Sequence, residues 1–505
     1  MKQFIIVLLI TASVFACDDK LNQVNPNSLT TASFWKTESD FQQGLAASYK
    51  VFRKEYWGVR GIELSNGRGD DNFIRNDVQA LYKLSTFTND PTTNVPAGIF
   101  AGCYKAIFRA NQVIQYLPQG QVSESFRNAA MAEAQFIRGV NYFILAINFG
   151  AVPLIAKVPQ TPAESMVPKA EAKEVWKQIV SDFQAAANVL PISYGAADVG
   201  RATRGAALGF LAKTYVYTEN WEEAEKIFKL LAQPDGMPQP PFEYDLLPNY
   251  EDNFLKEKDN NKESLFEIQL SAGVGGSSPW ASDNADEGQG VSTAQEFAPG
   301  EVSGWFEMYP TEKIFNEFQK EKTVAGDFDP RMYASIAWDY PGAVYYQKPY
   351  AGSFTNPYGF SSRIRKYQNW RDKNEGIYIS EINEKVLRFA DILLMYAETL
   401  VMRKKPAEDA YPLINRIRQR ANLSPLAPGL SSEAVMAEIR HQRMIEFYRE
   451  GLRFYDLRRW GLLQQEIKNS DKEGRQFYNN KFQYFPIPQN EINTNPAITQ
   501  NPPWD

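Results

Sequence analysis

The sequence predicts a mostly α-helical protein: a tetratricopeptide-like scaffold of helical pairs carrying an irregular, loop-rich insertion with short strands. Three observations predict it. Residues 203–234, TRGAALGFLAKTYVYTENWEEAEKIFKLLAQP, have the spacing of a repeated helical hairpin. Long helical periodicity recurs on both sides of that hairpin. Between about 237 and 380 the periodicity gives way to dense Gly, Pro, Asn and Asp.

Helices are expected, in chain order, over 34–52, 99–117, 129–148 and 172–190. In the hairpin, Ala207, Phe210, Leu211, Thr214 and Tyr215 share one helical face. After the turn Thr218-Glu219-Asn220, a second helix turns Trp221, Ala224, Ile227, Phe228 and Leu231 inward. Leu211-Ala212-x-x-Tyr215 followed by Ala224-x-x-x-Phe228 matches the tetratricopeptide spacing, with Ala212 in place of the usual Gly. Small residues there let paired helices approach, and the rings fill the hole opposite. One hairpin cannot bury its own apolar face, so successive pairs should stack. Residues 386–420 are again helical in pattern. Within the insertion, Leu265–Leu270 and Arg331–Trp338 read as strands. The division is therefore 1–16 as a leader, 17–236 as an N-terminal helical region, 237–380 as the ligand-binding insertion and 381–505 as a C-terminal helical region. A rigid scaffold with an irregular insertion is where binding sites usually reside.

The leader is short. From Phe4 to Ala16 the chain reads FIIVLLITASVFA after Lys2. Thirteen residues are too few to span a bilayer, which needs about 20 in a helix. A basic start, a short apolar centre and small residues before a cut make a secretion signal. Val14-Phe15-Ala16-Cys17 resembles a bacterial lipobox, so Cys17 is expected to be acylated and to become the new N-terminus. Acyl chains contribute about 0.8 kcal/mol per buried CH₂, enough for lasting attachment.

Composition narrows the chemistry. Net charge is −6 and charged residues are 23%, so no basic face for nucleic acid is expected. Once Cys17 is processed, only Cys103 remains, which excludes an intramolecular disulfide. His441 is the only histidine, so zinc sites and triads built on His have little to work with. It lies in EIRHQRMIEFYREGLRFYDLRRWG and reads as a helix-surface or network residue. Arg443, Glu446, Arg449, Glu450, Arg453 and Asp456 stand three or four apart there, as paired helix charges do, and are read as a structural network. Arg68-Gly69-Asp70 is a tripeptide common by chance. Asp283–Gly288 lacks the alternating ligands of an EF-hand loop. Walker and GxGxxG loops are absent, and no cofactor is expected.

Several segments in fixed order resemble the SusD/RagB family of outer-membrane lipoproteins. NPNSLTTASFWKTESDFQQGLAASYKVF resembles the opening helix. NQVIQYL, AEAQFIRGVNYFILAINFGAVPLI, RATRGAALGFLAKTYVY, YPTEKIFNEFQ with DPRMYASI, and VLRFADILLMYAETL follow. HQRMIEFYREGLRFYDLRRWG and then YFPIPQNEINTNPAITQNPPW are the most specific. Asp391 stands where Glu is usual, and Pro503 where Gly is usual.

The resemblance implies a SusD-like fold and a cell-surface, lipid-anchored capture protein in the outer membrane. Such a protein takes oligomeric nutrients, most often glycans, and delivers them as a lid to a SusC-like TonB-dependent barrel transporter. It is not an enzyme. A peptide-capturing, RagB-like lid is the alternative reading; an α-helical glycoside hydrolase and a pure protein-interaction scaffold are the rival classes. Sugar rings stack C–H faces on aromatic rings and need forked polar partners. The candidate ligand-binding residues are therefore Asp71 and Asn72 in NGRGDDN, Trp280 and Asn284 in GGSSPWASDN, and Trp338, Tyr345 and Tyr346 in WDYPGAVYYQKPY. Phe100 stands where the starch-binding member's aromatic arc would begin, without a Trp. Trp305 fits a core position of the family.

Overall fold

The computed structural model describes residues 34–53, 66–273, 275–276, 288–355 and 362–505. Local sequence explains where its first helices begin. Helix α1 (Glu38–Val51) opens on a capping box: the Thr37 hydroxyl accepts the Asp40 N–H, and the Asp40 carboxylate accepts the Thr37 N–H. A short α2 (Gln79–Ser85) and the long α3 (Asn94–Tyr116) follow. Ser123 caps α4 (Glu124–Phe149), and Thr203 caps α6 (Arg204–Tyr217), which is preceded by α5 (Ala172–Val189). Helix α7 (Trp221–Phe228) completes the hairpin. From α3 to α7 each helix packs on the next, as stacked pairs should.

The hairpin differs from expectation in one respect. Helix α6 is buried on every side from Gly205 to Val216, not on one face. The reason is a strand pair laid across it. Strand β2 (Ser264–Ile268) pairs antiparallel with β8 (Glu384–Arg388), and both touch α6. A Cβ on Gly209 would sit 2.6 Å from Leu387 Cδ2 and 3.0 Å from Leu265 Cδ2, so only glycine allows this approach.

The remaining strands form three more antiparallel pairs. They are β1 (Asn72–Ile74) with β3 (Met308–Pro310), β4 (Ile336–Trp338) with β7 (Ser362–Ile364), and β5 (Val344–Tyr345) with β6 (Lys348–Pro349). Two sequence expectations are corrected here. Most of Arg331–Trp338 is not a strand: Pro330–Ser335 is helical, and only Ile336–Trp338 is extended. Pro330 occupies the first helical turn, and the Asp329 carboxylate accepts the Arg331 N–H at 2.8 Å, a local start signal. The helical pattern of 386–420 begins as β8 and becomes helical only at Phe389.

Helices α8 (Glu312–Glu317) and α9 (Pro330–Ser335) lie within the insertion. The C-terminal part contributes α10 (Phe389–Met402), α11 (Tyr411–Arg420), α12 (Ser432–Glu446), α13 (Arg453–Arg459) and α14 (Leu463–Lys468). One apolar core draws on elements from all three expected regions. Among the described residues, no helix is long and apolar enough to cross a membrane. Cys103 is buried.

The charges of α12 and α13 form a buried network, largely between elements and not along one helix. Arg443 bonds Asp391 at 2.7 Å and Asp456 at 2.8 Å, and Lys213 reaches Asp391 at 2.9 Å. Glu446 receives Arg388 at 2.9 Å, Arg420 at 2.6 Å and Arg331 at 3.3 Å. Burial opposes the charge on Glu446, yet the three guanidiniums outweigh it and hold its carboxyl well below the usual range. His441 sits on α12 with Nδ1 at 2.6 Å from Glu317, a network position as expected.

Candidate functional site

Cys17, Trp280 and Asn284 lie outside the described residues. The other five sequence candidates, Asp71, Asn72, Trp338, Tyr345 and Tyr346, are buried, where surface positions were expected. Trp338 is enclosed by Phe315, Phe328, Tyr333 and Tyr340. Tyr345 and Tyr346 are fully buried, and their rings pack 4.6 Å apart. Strand alternation should have turned one of them outward. However, β5 is only two residues long, and Tyr346 follows it at φ 50°, which folds its ring back into the same cluster. Val344 takes the exposed position instead. The segment NGRGDDN is polar yet internal because its groups find partners far along the chain. Asn72 Oδ1 accepts from the Tyr448 hydroxyl at 2.8 Å, and Arg68 Nη2 donates to the Phe482 carbonyl at 2.9 Å. The Asp71 carbonyl accepts the Thr311 N–H at 3.1 Å. The Arg68-Gly69-Asp70 tripeptide is thereby closed to any partner.

The structure exposes polar groups immediately beyond this segment, over a buried cluster of Phe73, Phe306 and Tyr309. Strand β1 ends at Ile74, and the Arg75 N–H donates to the Glu307 carbonyl at 2.9 Å. Arg75, Asn76 and Asp77 then turn out to solvent. The Arg75 guanidinium bonds Asp77 at 2.5 Å and reaches across to the Trp305 carbonyl. It therefore ties the β1 turn to the loop that leads into β3. Phe73 and Tyr309 line the cleft between them, with Phe306 stacked on Tyr309 at 5.5 Å. The third wall is Asp471 to Glu473. Asp471 accepts the Glu312 N–H at 2.9 Å, and Glu473 accepts the Tyr82 hydroxyl at 2.5 Å. The enclosed volume is about 500 Å³.

Two further rings, neither of them lining this cleft, are partly exposed. Trp305 and Tyr378 meet edge to face at 5.7 Å. Gln295 positions both: its carbonyl accepts the Trp305 N–H at 2.8 Å, and its side-chain oxygen accepts the Tyr378 N–H at 3.3 Å. Trp305 is only partly buried, whereas the sequence reading placed it in the core. Ile377 and Ile379 flank Tyr378 and are exposed at 65% and 43%.

A buried charge cluster underlies the cleft. Burial disfavours the Asp70 carboxylate, but Arg453 and Lys313 outweigh it and hold its carboxyl well below the usual range. Asp71 has no such direct pair; burial and the adjacent Asp70 charge push it up to about 7. Burial lowers the Lys472 ammonium to about 8 despite both aspartates. The hydrogen bond to Glu473 raises the Tyr82 hydroxyl to about 12. Among the described residues, no cluster of His, Cys, Asp and Glu is placed to hold a metal.

Sequence reasoning did not single out Arg75, Tyr309, Tyr378 or Glu473. Their contacts join residues 230 and 391 positions apart, which no local pattern reveals. The available signal was weak: isolated rings beside glycine in SGWFEMYP and NEGIYIS.

Comparison with known proteins follows the chain from end to end. The SusD family profile matches residues 262–504, and a profile described as starch-binding and associating with the outer membrane matches 21–216. A SusD-like protein of Bacteroides ovatus is 26% identical, over 91% of this chain and 83% of the relative. SusD-like protein P25 of Formosa agariphila is 25% identical, over 99% of this chain and 98% of its own. The crystal structure of a SusD superfamily protein from Bacteroides vulgatus superposes with a TM-score of 0.84 at 38% identity. That match covers 93% of this chain and 99% of the other. A laminarin-binding SusD-like protein superposes at 0.78 with 26% identity, over 93% and 100%. Since sequence and tertiary structure agree over nearly the whole length, this chain belongs to the SusD family.

Proposed function

We propose that this protein captures oligosaccharides at the outer membrane through the cleft between Arg75, Trp305 and Glu473, without cleaving them. One observation carries the reading. Trp305 and Tyr378 form a partly exposed ring pair, and Arg75, which holds the Trp305 carbonyl, lines a cleft with an amide and carboxylates open to solvent. Rings take the C–H faces of sugars, and the polar set takes their hydroxyls. A shallow cleft suits capture followed by release, since a millimolar Kd needs only about −4 kcal/mol. The laminarin-binding relative supports a glycan over a peptide. Delivery to a SusC-like TonB-dependent barrel, with this protein as its lid and Cys17 as its lipid anchor, completes the reading.

The test is calorimetric binding to the soluble chain starting at Asp18. Laminarihexaose and a peptide panel are titrated in parallel, and each ligand is then weighed by mass spectrometry. An intact bound saccharide supports capture. A shortened one would make the protein a hydrolase, and peptide binding alone would favour the RagB-like reading. For the anchor, Cys17→Ala should move the protein from the membrane to the soluble fraction with affinity unchanged. Retention at the membrane would refute the lipid tether.

A further inference from the structure

Helix α8 separates the cleft from a second, larger concavity. Glu312 faces the cleft, while Lys313 and Glu317 line this basin, whose volume is about 800 Å³. The basin's floor is apolar. Met444 and Leu457 are buried there, and Leu462 and the Trp460 indole are partly so. Trp460 Nε1 donates to Glu398 at 2.8 Å, which fixes the ring.

The walls are charged, and their pairing is nearly complete. Lys313 bonds Asp70 and Glu466, each at 2.5 Å. Lys320 and His441 both meet Glu317 at 2.6 Å. Arg418 pairs with Glu321 and Glu438, and Arg453 with Asp70 at 2.8 Å. Every carboxylate lining the basin is therefore committed. Arg440 is the exception among the lining cations: it forms no ion pair with any described residue. Its Nε is buried without a hydrogen-bond partner, and its guanidinium lies 5.7 Å from the centre of the Trp460 ring.

An uncommitted guanidinium is a planar fork suited to a carboxylate or a sulfate. Here it stands beside an aromatic face and an apolar floor. A free inorganic anion would use only the guanidinium. A sugar ring bearing an acidic group uses both. We propose that the basin is a subsite for an acidic saccharide unit, a pyranose carrying a carboxylate or a sulfate ester. Arg440 takes the oxyanion, and the apolar floor with the edge of Trp460 takes the C–H surface of the sugar, since the Arg459 guanidinium also lies over the indole at 4.7 Å. This rests on the saccharide reading of the neighbouring cleft and adds a ligand class to it. The two sites are adjacent. Glu312 is hydrogen-bonded to Asp471 at the cleft, and the next residue, Lys313, reaches Glu466 in the basin. One oligosaccharide can therefore cross the Lys313 ridge and occupy both.

The experiment titrates the chain from Asp18 with tetragalacturonate, a carrageenan hexasaccharide and neutral laminarihexaose. The same series is run on Arg440→Gln. Binding of either acidic ligand, weakened about tenfold or more in Arg440→Gln with laminarihexaose unchanged, is expected. Which acidic ligand responds identifies carboxylate or sulfate. Inorganic sulfate should displace the acidic ligand from the wild type but not laminarihexaose, a readout that does not depend on the variant folding. If laminarihexaose binds and neither acidic ligand does, the basin proposal falls and the capture reading stands. Acidic binding indifferent to both Arg440→Gln and sulfate overturns it equally. If no saccharide binds, both fall.

Discussion

Around Glu446 three guanidiniums converge where water does not reach, while around Arg75 a single guanidinium bridges two loops at the surface. Both regions are rich in charge, and both come together from distant parts of the chain. In the sequence the first was the more conspicuous, because its charges recur at helical spacing. The structure assigns it to stability. There the guanidiniums are enclosed by the protein and paired with its carboxylates, so no ligand reaches them. At the cleft the polar groups keep a face open to solvent, and that open face is what can bind.

The largest effect should come from breaking the first region. Glu446→Gln leaves Arg388, Arg420 and Arg331 short of a countercharge, and loss of about 3–5 kcal/mol of stability is expected. Urea denaturation measures it, and an unchanged midpoint would end the distinction between the two regions. The next effect is a pH slope. Asp71 titrates near 7 in the fold against about 4 when unfolded. Below about 4 both states hold the proton. As pH rises toward 7 the unfolded chain releases it first, so stability falls, on the order of 1 kcal/mol per unit. Asp71→Asn should remove that decline between about pH 4 and 7, and denaturation curves across the interval would show whether it does. A smaller change is expected at the cleft. Trp305→Ala should weaken laminarihexaose binding about tenfold, roughly 1.4 kcal/mol, with little change in Tm. A large fall in Tm would return Trp305 to the core. The smallest change belongs to an exposed pair. Lys226→Ala on α7 removes contacts with Glu222 and Glu223 that solvent already screens, so its denaturation midpoint should match the wild type.

The helical scaffold was legible because its signals are local. The hairpin at 204–228 shows its period in Ala207, Phe210, Leu211 and Tyr215, and its start in Thr203. The ligand candidates were not legible in the same way. Tyr345 and Tyr346 read as an alternating pair, and only the turn at Tyr346 sends both rings inward. Asp71 and Asn72 read as loop residues, and only Tyr448 and Thr311 explain their burial.

The sequence by itself determined which stretches of the N-terminal scaffold are helical, the tetratricopeptide-like pairing and the family, since periodicities act over a few residues and motif order survives without coordinates; it did not determine the boundaries at 331–338 and 386–420. Tertiary structure alone decided which charges and rings face water. Arg75 meets Trp305, and Tyr82 meets Glu473, only after hundreds of intervening residues have packed. Exposure is a property of everything that surrounds a side chain, and no stretch of neighbours in sequence contains it.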